Sequence, residues 1–410
     1  MHKVSYLLKF PLLIAFLLFA QMPATTAQAA GPLFVGMGDS LGEGVQSGDA
    51  AFQTQIFSYL FWINRQMRAD LVLPLIRTNP LGVVGSTKGR SRRSPKDFPT
   101  NFAVSGATLN SLLRKRANAA TTSDIDNESD LVLFPRLQSQ IEAAESSPPA
   151  FIVCWIGNND ILKTTTAYGK MDVSQLTPVS EFEKDYKELV DRLGKLAHDH
   201  GTKIVFGNLP DATDIGFLVD RAEAEKFLGF PVNLPDGSYT SLLGMILMQI
   251  AENDKLVKDP AFVLDASEIA QIQNQILTFN SIIKTQASRI KMPVVDIFTL
   301  YKGITENPPV IAGIPLTKSF LGGLFSLDGI HPSNIGHALL ANEFIRIMNQ
   351  AFHLKIPSLN QDSLAILTLM DPAIDKDKDG QAHGRPGVGL IETLAFLYGI
   401  TGDDDELKAE

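Results

Sequence analysis

Short runs of β-branched and aromatic residues recur along this chain, at Leu33 to Met37, Phe151 to Ile156, Lys203 to Gly207 and Pro293 to Ile297, with helical stretches between them. Strands that alternate with helices imply a parallel sheet covered by helices. The helices are legible too. Val179 to Ala197 carries apolar residues at helical spacing and runs out before Gly201, and Ala266 to Ile290 has Asp265 or Ser267 as its candidate N-cap. A last helix is expected after Ser333, through Ala338 to Met348. Together they predict a three-layer α/β/α domain over residues 30–356.

With 45% of 410 residues hydrophobic, the chain can bury a core large enough for one big domain, or one domain and a tail. Its 45 acidic against 36 basic residues give a net charge of −9, which offers no general attraction to nucleic acid or anionic lipid surfaces. The basic run Lys88, Arg90, Arg92, Arg93 and Lys96 is interleaved with Gly, Ser and Pro and reads as a solvated loop rather than an anion-binding patch. At the N-terminus, Lys3 and Lys9 precede an apolar stretch from Phe10 to Ala20 and the small-residue sequence Ala27-Gln28-Ala29. This layout predicts a signal peptide over residues 1–29 and a secreted or periplasmic protein with no stable membrane span. The single cysteine, Cys154, lies in an apolar strand-like run, so it reads as a packing residue and not a nucleophile.

A long insertion, residues 214–264, separates the third and fourth strands and contains the apolar stretch Leu242 to Met248. It reads either as a lid or binding wall, or as an ordinary helix sealing the core. Residues 308–325, rich in Gly and apolar side chains, form a second candidate wall.

Four local motifs carry chemistry. Gly38-Asp39-Ser40-Leu41 follows the first strand, and Gly42 and Gly44 suit a tight turn that exposes the Ser40 hydroxyl. Asp328-Gly329-Ile330-His331 places an aspartate three residues before a histidine: the imidazole can take a proton from a hydroxyl near neutral pH, and the aspartate can fix its tautomer. Among the other histidines, His198 and His200 end a polar helix and His337 falls within the last helix, so these read as surface or packing residues. An acyl-transfer intermediate also needs preorganised donors for its oxyanion. Asn101 to Ala107 can supply the backbone N–H of Gly106, and Gly157-Asn158-Asn159-Asp160, after the second strand, the side-chain amide of Asn159. Each motif alone is equally a turn. Their order and their expected place at the carboxyl ends of strands, where ligands gather in open α/β sheets, make a serine hydrolase site of them.

By these four blocks the chain resembles the GDSL, or SGNH, hydrolase family, over most of its length. The resemblance implies a flavodoxin-like three-layer fold and an acyl-enzyme on Ser40, with His331 and Asp328 completing the base. It also implies an oxyanion hole formed by the Ser40 N–H, Gly106 and Asn159, and a reaction without metal or other cofactor. The substrate is expected to be an ester with an apolar acyl chain, because the long insertion and hydrophobic loops resemble larger lipase-like members. A carbohydrate acetylesterase and a non-catalytic binding protein on the same scaffold are the alternatives.

Residues 357–410 form a tail expected to be organised separately. Within it Asp375, Asp377 and Asp379 alternate before Gly380, as in the first half of an EF-hand loop, and suggest a structural calcium site with Asp371 as a further candidate ligand. The second half departs, since Pro386 stands where a bidentate glutamate belongs.

Overall fold

The computed structural model describes residues 31–77, 90–166 and 171–376. The proposed signal peptide lies outside them, as do Lys88, Asp377 and Asp379. Among the described residues the strands are β1 (Phe34–Gly38), β2 (Phe151–Trp155), β3 (Lys203–Gly207), β4 (Leu218–Val219), β5 (Tyr239–Ser241), β6 (Val263–Leu264), β7 (Val294–Val295), β8 (Val310–Ile311) and β9 (Ile314–Pro315). The central sheet has the order β1-β2-β3-β7 and is parallel throughout. Residues 100–104 run alongside its edge: Phe102 N–H donates to Gly36 and Val104 N–H to Gly38.

Every residue of β1 and β2 is buried, as expected of strands covered on both faces. The two faces can be told apart from register. Cys154 pairs with Phe206 across β2 and β3, so Trp155, one residue on, points to the opposite face. Trp155 packs edge-on against Tyr59 and near Phe344, from the helices Tyr59–Met67 and Asn334–Phe352. Phe206 packs near Tyr186, and Phe182 stacks on Phe279, joining the helices Val179–His200 and Ala266–Arg289 on the other side. This is the three-layer α/β/α arrangement. Cys154 is a buried core residue, and burial pushes its thiol far above the ordinary range.

The helix signals in the sequence work locally. Asp265 caps Ala266–Arg289, accepting from Ser267 and Glu268 N–H, and Ser333 caps Asn334–Phe352, accepting from Gly336 N–H. No helix among the described residues is long and apolar enough to cross a membrane.

One open alternative narrows and two expectations change. The apolar stretch of the insertion forms the helix Leu242–Ala251, with Leu242, Leu243, Met245, Ile246 and Met248 buried beside the antiparallel sheet β4-β5-β6. It seals the core. The basic run is not a solvated loop at Arg90 and Arg92, both of which are buried. Arg90 binds Glu128 Oε1 at 2.6 Å and the Ala50 carbonyl at 2.6 Å, a long-range pairing that loop composition does not announce. The tail, through residue 376, packs as part of the same body: in the helix Gln361–Met370, Leu364 and Leu367 are buried, and Ile374 joins the core. Asp371 is fully buried, its Oδ2 accepting from Ile335 N–H at 2.9 Å and its Oδ1 from Ala373 N–H at 2.9 Å. Each oxygen thus holds one backbone N–H.

Candidate active site

Ser40 opens a single helical turn, Ser40–Glu43, directly after β1. The strand-to-helix bend turns on Gly38, whose φ is 152° and where an added Cβ would fall 2.2 Å from the Trp155 carbonyl, so only glycine fits. The Gln140 side chain clamps the same residue from both sides, accepting from Gly38 N–H at 2.9 Å and donating to its carbonyl at 2.8 Å. Asp39 is the N-cap: its Oδ1 accepts from Leu41 N–H at 3.0 Å and its Oδ2 from Asn158 Nδ2 at 2.9 Å. That second bond ties the turn after β1 to the turn after β2. Burial pushes the Asp39 pKa up to about 6, against the opposing hydrogen bonds from Asn158 and Leu41. Ser40 itself is half-buried.

Asp328 and His331 lie in the loop before the helix Asn334–Phe352. His331 Nδ1 is 2.7 Å from Asp328 Oδ2, and the carboxylate is fully buried. Its other contacts are N–H and O–H donors: Gly48 N–H at 2.7 Å, Ile330 and His331 N–H at 2.9 Å each, and Ser326 Oγ at 3.2 Å. Burial alone would raise the carboxyl's pKa, but the facing His331 and these donors outweigh it and hold it below the usual value. A carboxylate on Nδ1 places the ring proton there and leaves the lone pair on Nε2. Nε2 is buried and has no hydrogen-bond partner among the described residues.

The remaining sequence candidates separate into two groups. Asn159, in the helix Asn158–Thr166 that follows β2, lines a pocket together with Ser40. Gly106, with φ 72°, borders a different, polar cavity and connects to the first through the next residue, whose Ala107 carbonyl accepts from Asn159 Nδ2 at 3.0 Å. An amide nitrogen has two hydrogens, so one remains for a ligand. The histidines set aside from the sequence stay aside. His198 and His200 close an exposed helix end. His337 is fully buried, accepts from Tyr59 N–H at 3.3 Å, and burial pushes its pKa down to about 3.

The pocket beside Ser40 has a cavity volume of about 40 Å³, and its wall is mostly apolar: Trp155, Ile161, Leu209, Ile215, Ile276 and Tyr301 contribute. From the insertion, Ile215 reaches it. The second expected wall, residues 308–325, sends Leu324 and Phe325 into a separate crevice with Leu300 and Leu339 instead. Sequence reading missed Gln140, Asn158, Gly48 and Ser326. Of these, Asn158 and Ser326 sit beside motifs already identified, whereas Gly48 reaches Asp328 from 280 residues away and had no local signal.

The solved structures that resemble this one include an acetylxylan esterase from Geobacillus stearothermophilus, with 14% identity, 81% of this chain and 98% of that chain covered, and a TM-score of 0.39. An α/β hydrolase from the metagenome of Lake Arreo has 14% identity, covering 78% of this chain and 97% of that chain, with a TM-score of 0.38. No curated protein matches the sequence. The model of the GDSL-like lipase/acylhydrolase family matches residues 34–344, from the first residue of β1 to well past His331. The chain therefore belongs to the GDSL-like lipase/acylhydrolase family and is a carboxylic ester hydrolase.

Proposed function

We propose that the protein cleaves esters of apolar acyl chains by double displacement on Ser40. The observation that carries this reading is that Ser40 lines an apolar pocket whose wall also includes Ile330, the residue before an Asp328-held His331 whose Nε2 is unengaged among the described residues. His331 Nε2 takes the Ser40 proton as Oγ attacks the ester carbonyl, and Asp328 stabilises the imidazolium that results. The oxyanion is met by the Ser40 and Gly106 N–H groups and the free hydrogen of Asn159 Nδ2, each donor being worth on the order of 10²- to 10³-fold in turnover. His331 then protonates the leaving alcohol, and water releases the acid by the reverse sequence. The acyl chain lies along Ile161, Leu209, Ile215 and Ile276, where its burial stabilises by about 0.8 kcal/mol per CH₂.

The test is a series of p-nitrophenyl esters from acetyl to palmitoyl, with Ser40→Ala as the control. Ser40→Ala should lose activity with the fold intact. In the parent protein kcat/KM should rise with chain length until the pocket is filled. Activity on acetyl esters alone would favour the carbohydrate acetylesterase reading, and full activity of Ser40→Ala would remove the serine mechanism.

A further inference from the structure

The helical turn that carries Ser40 ends on Glu43, whose side chain is fully buried. A buried carboxylate is costly unless its oxygens find donors. One oxygen of Glu43 finds them 62 residues further on, where Oε2 accepts from Ser105 N–H at 2.6 Å and from Ser105 Oγ–H at 2.5 Å, while Oε1 has no hydrogen-bond partner among the described residues. Burial, and after it the neighbouring Glu128, push its pKa up to about 8, and the Arg90 guanidinium and the Ser105 donors offset only part of that rise. Arg90 is itself anchored, bonded to Glu128 and 3.4 Å from Asp49.

Ser105 immediately precedes Gly106. Residues Val104 to Ala107 form a turn closed by Ala107 N–H donating to the Val104 carbonyl at 3.0 Å. Gly106 occupies its third position with φ 72°, as a type II turn requires. The outer side of this turn is open. A Cβ built on Gly106 would meet nothing within 4 Å, and a cavity lined by Ser105, Thr108, Ser111 and Lys115 lies against it. The turn is therefore placed by tethers and not by packing at its tip. Val104 N–H reaches Gly38, the Ala107 carbonyl reaches Asn159, and Ser105 reaches Glu43. The last of these runs to the helical turn of Ser40 itself.

We infer that Glu43 is a positioning residue for ester hydrolysis: by gripping Ser105 from the turn that bears Ser40, it sets the spacing between the Ser40 and Gly106 N–H donors. The inference rests on the reading of those two groups as the oxyanion hole. A misplacement of about 1 Å in such a constellation can cost about a hundredfold in rate, and a carboxyl group anchored on the same turn as the nucleophile removes that freedom.

The experiment measures kcat, KM and the affinity for an alkylboronic acid, which forms a tetrahedral adduct on the serine, in the full chain. Glu43→Ala should lower kcat by about 10- to 100-fold, leave KM within about twofold, and weaken boronate binding by a similar factor. Glu43→Gln, whose amide oxygen still accepts from Ser105, should recover most of the loss. Wild-type kcat and boronate affinity in Glu43→Ala, or equal losses in the Ala and Gln variants, would overturn the inference. If Glu43→Ala does not fold because Arg90 is left imbalanced, Glu43→Asp, one methylene short of Ser105, decides the matter: a fall in kcat at constant KM supports the grip, and wild-type kcat rejects it. Asn159→Ala, run in parallel, separates the two possible failures. Boronate affinity lost there but kept in Glu43→Ala rejects the role of Glu43 alone, and affinity kept in both rejects the oxyanion reading with it.

Discussion

At the scale of single residues, the site is a set of polar groups each held by a partner with one job. Asp328 shows the pattern most fully, because every described contact to its buried carboxylate is a donor, and one of them is the His331 ring. Replacing it by asparagine keeps the shape but offers an N–H₂ where an acceptor is needed, which favours the wrong imidazole tautomer. Asp328→Asn should lower kcat by about 10²- to 10⁴-fold, with circular dichroism and KM little changed. A variant within a factor of three of the parent would show that His331 is oriented by other means. The motif residues were legible in the sequence because a nucleophile, a base and its orienting acid sit in short, recognisable strings. Their supports were not legible, since Gly48 and Gln140 meet their partners only after folding brings together segments 280 and 102 residues apart.

At the scale of elements, the strand-to-helix turn at Ser40 is fastened by its own cap, and this has a consequence for pH. Asp39 is raised to about 6 from an ordinary value of 3.8. The folded protein thus holds a proton at this position more tightly than the unfolded chain does. Below the ordinary value both states are protonated and Asp39 costs nothing. As pH rises through that value a penalty grows, and it is complete above about 6, reaching on the order of 3 kcal/mol. Asp39→Asn retains an oxygen for the Leu41 N–H and cannot ionise. Its melting temperature relative to the parent should improve between pH 4 and pH 8, and parallel pH profiles for the two proteins would contradict this account. Element boundaries were mostly visible beforehand because caps such as Asp265 and Ser333 are local chemistry. The helix Leu242–Ala251 was ambiguous because Leu and Met line cores and acyl pockets alike, and only its neighbours decide between them.

At the scale of the whole molecule, the segment after the last helix of the sheet domain is not an appendage. The helix Gln361–Met370 buries Leu364 and Leu367, and Asp371 satisfies the Ile335 N–H in the first turn of the helix that follows His331. Truncation after residue 356 would expose those apolar faces and leave that N–H without its acceptor, a buried polar loss worth about 1–3 kcal/mol before the apolar contacts are added. The truncated protein should unfold several degrees below the full chain and at lower urea, and equal midpoints would show that the tail folds independently.

What the amino-acid sequence set out by itself was what near neighbours fix: the four strands of the central sheet, the three long helices with caps such as Asp265 and Ser333, and the serine, aspartate, histidine, glycine and asparagine proposed for the candidate site. Composition and periodicity act over a few residues, and so does the chemistry of each motif. Tertiary structure alone decided which apolar side chains wall the pocket beside Ser40, why Arg90 is buried, and that the tail braces the helix Asn334–Phe352. It also decided that Glu43 grips Ser105. Those are contacts across long separations, and a buried charge or an orphan N–H specifies that a partner must exist without saying where in the chain it lies.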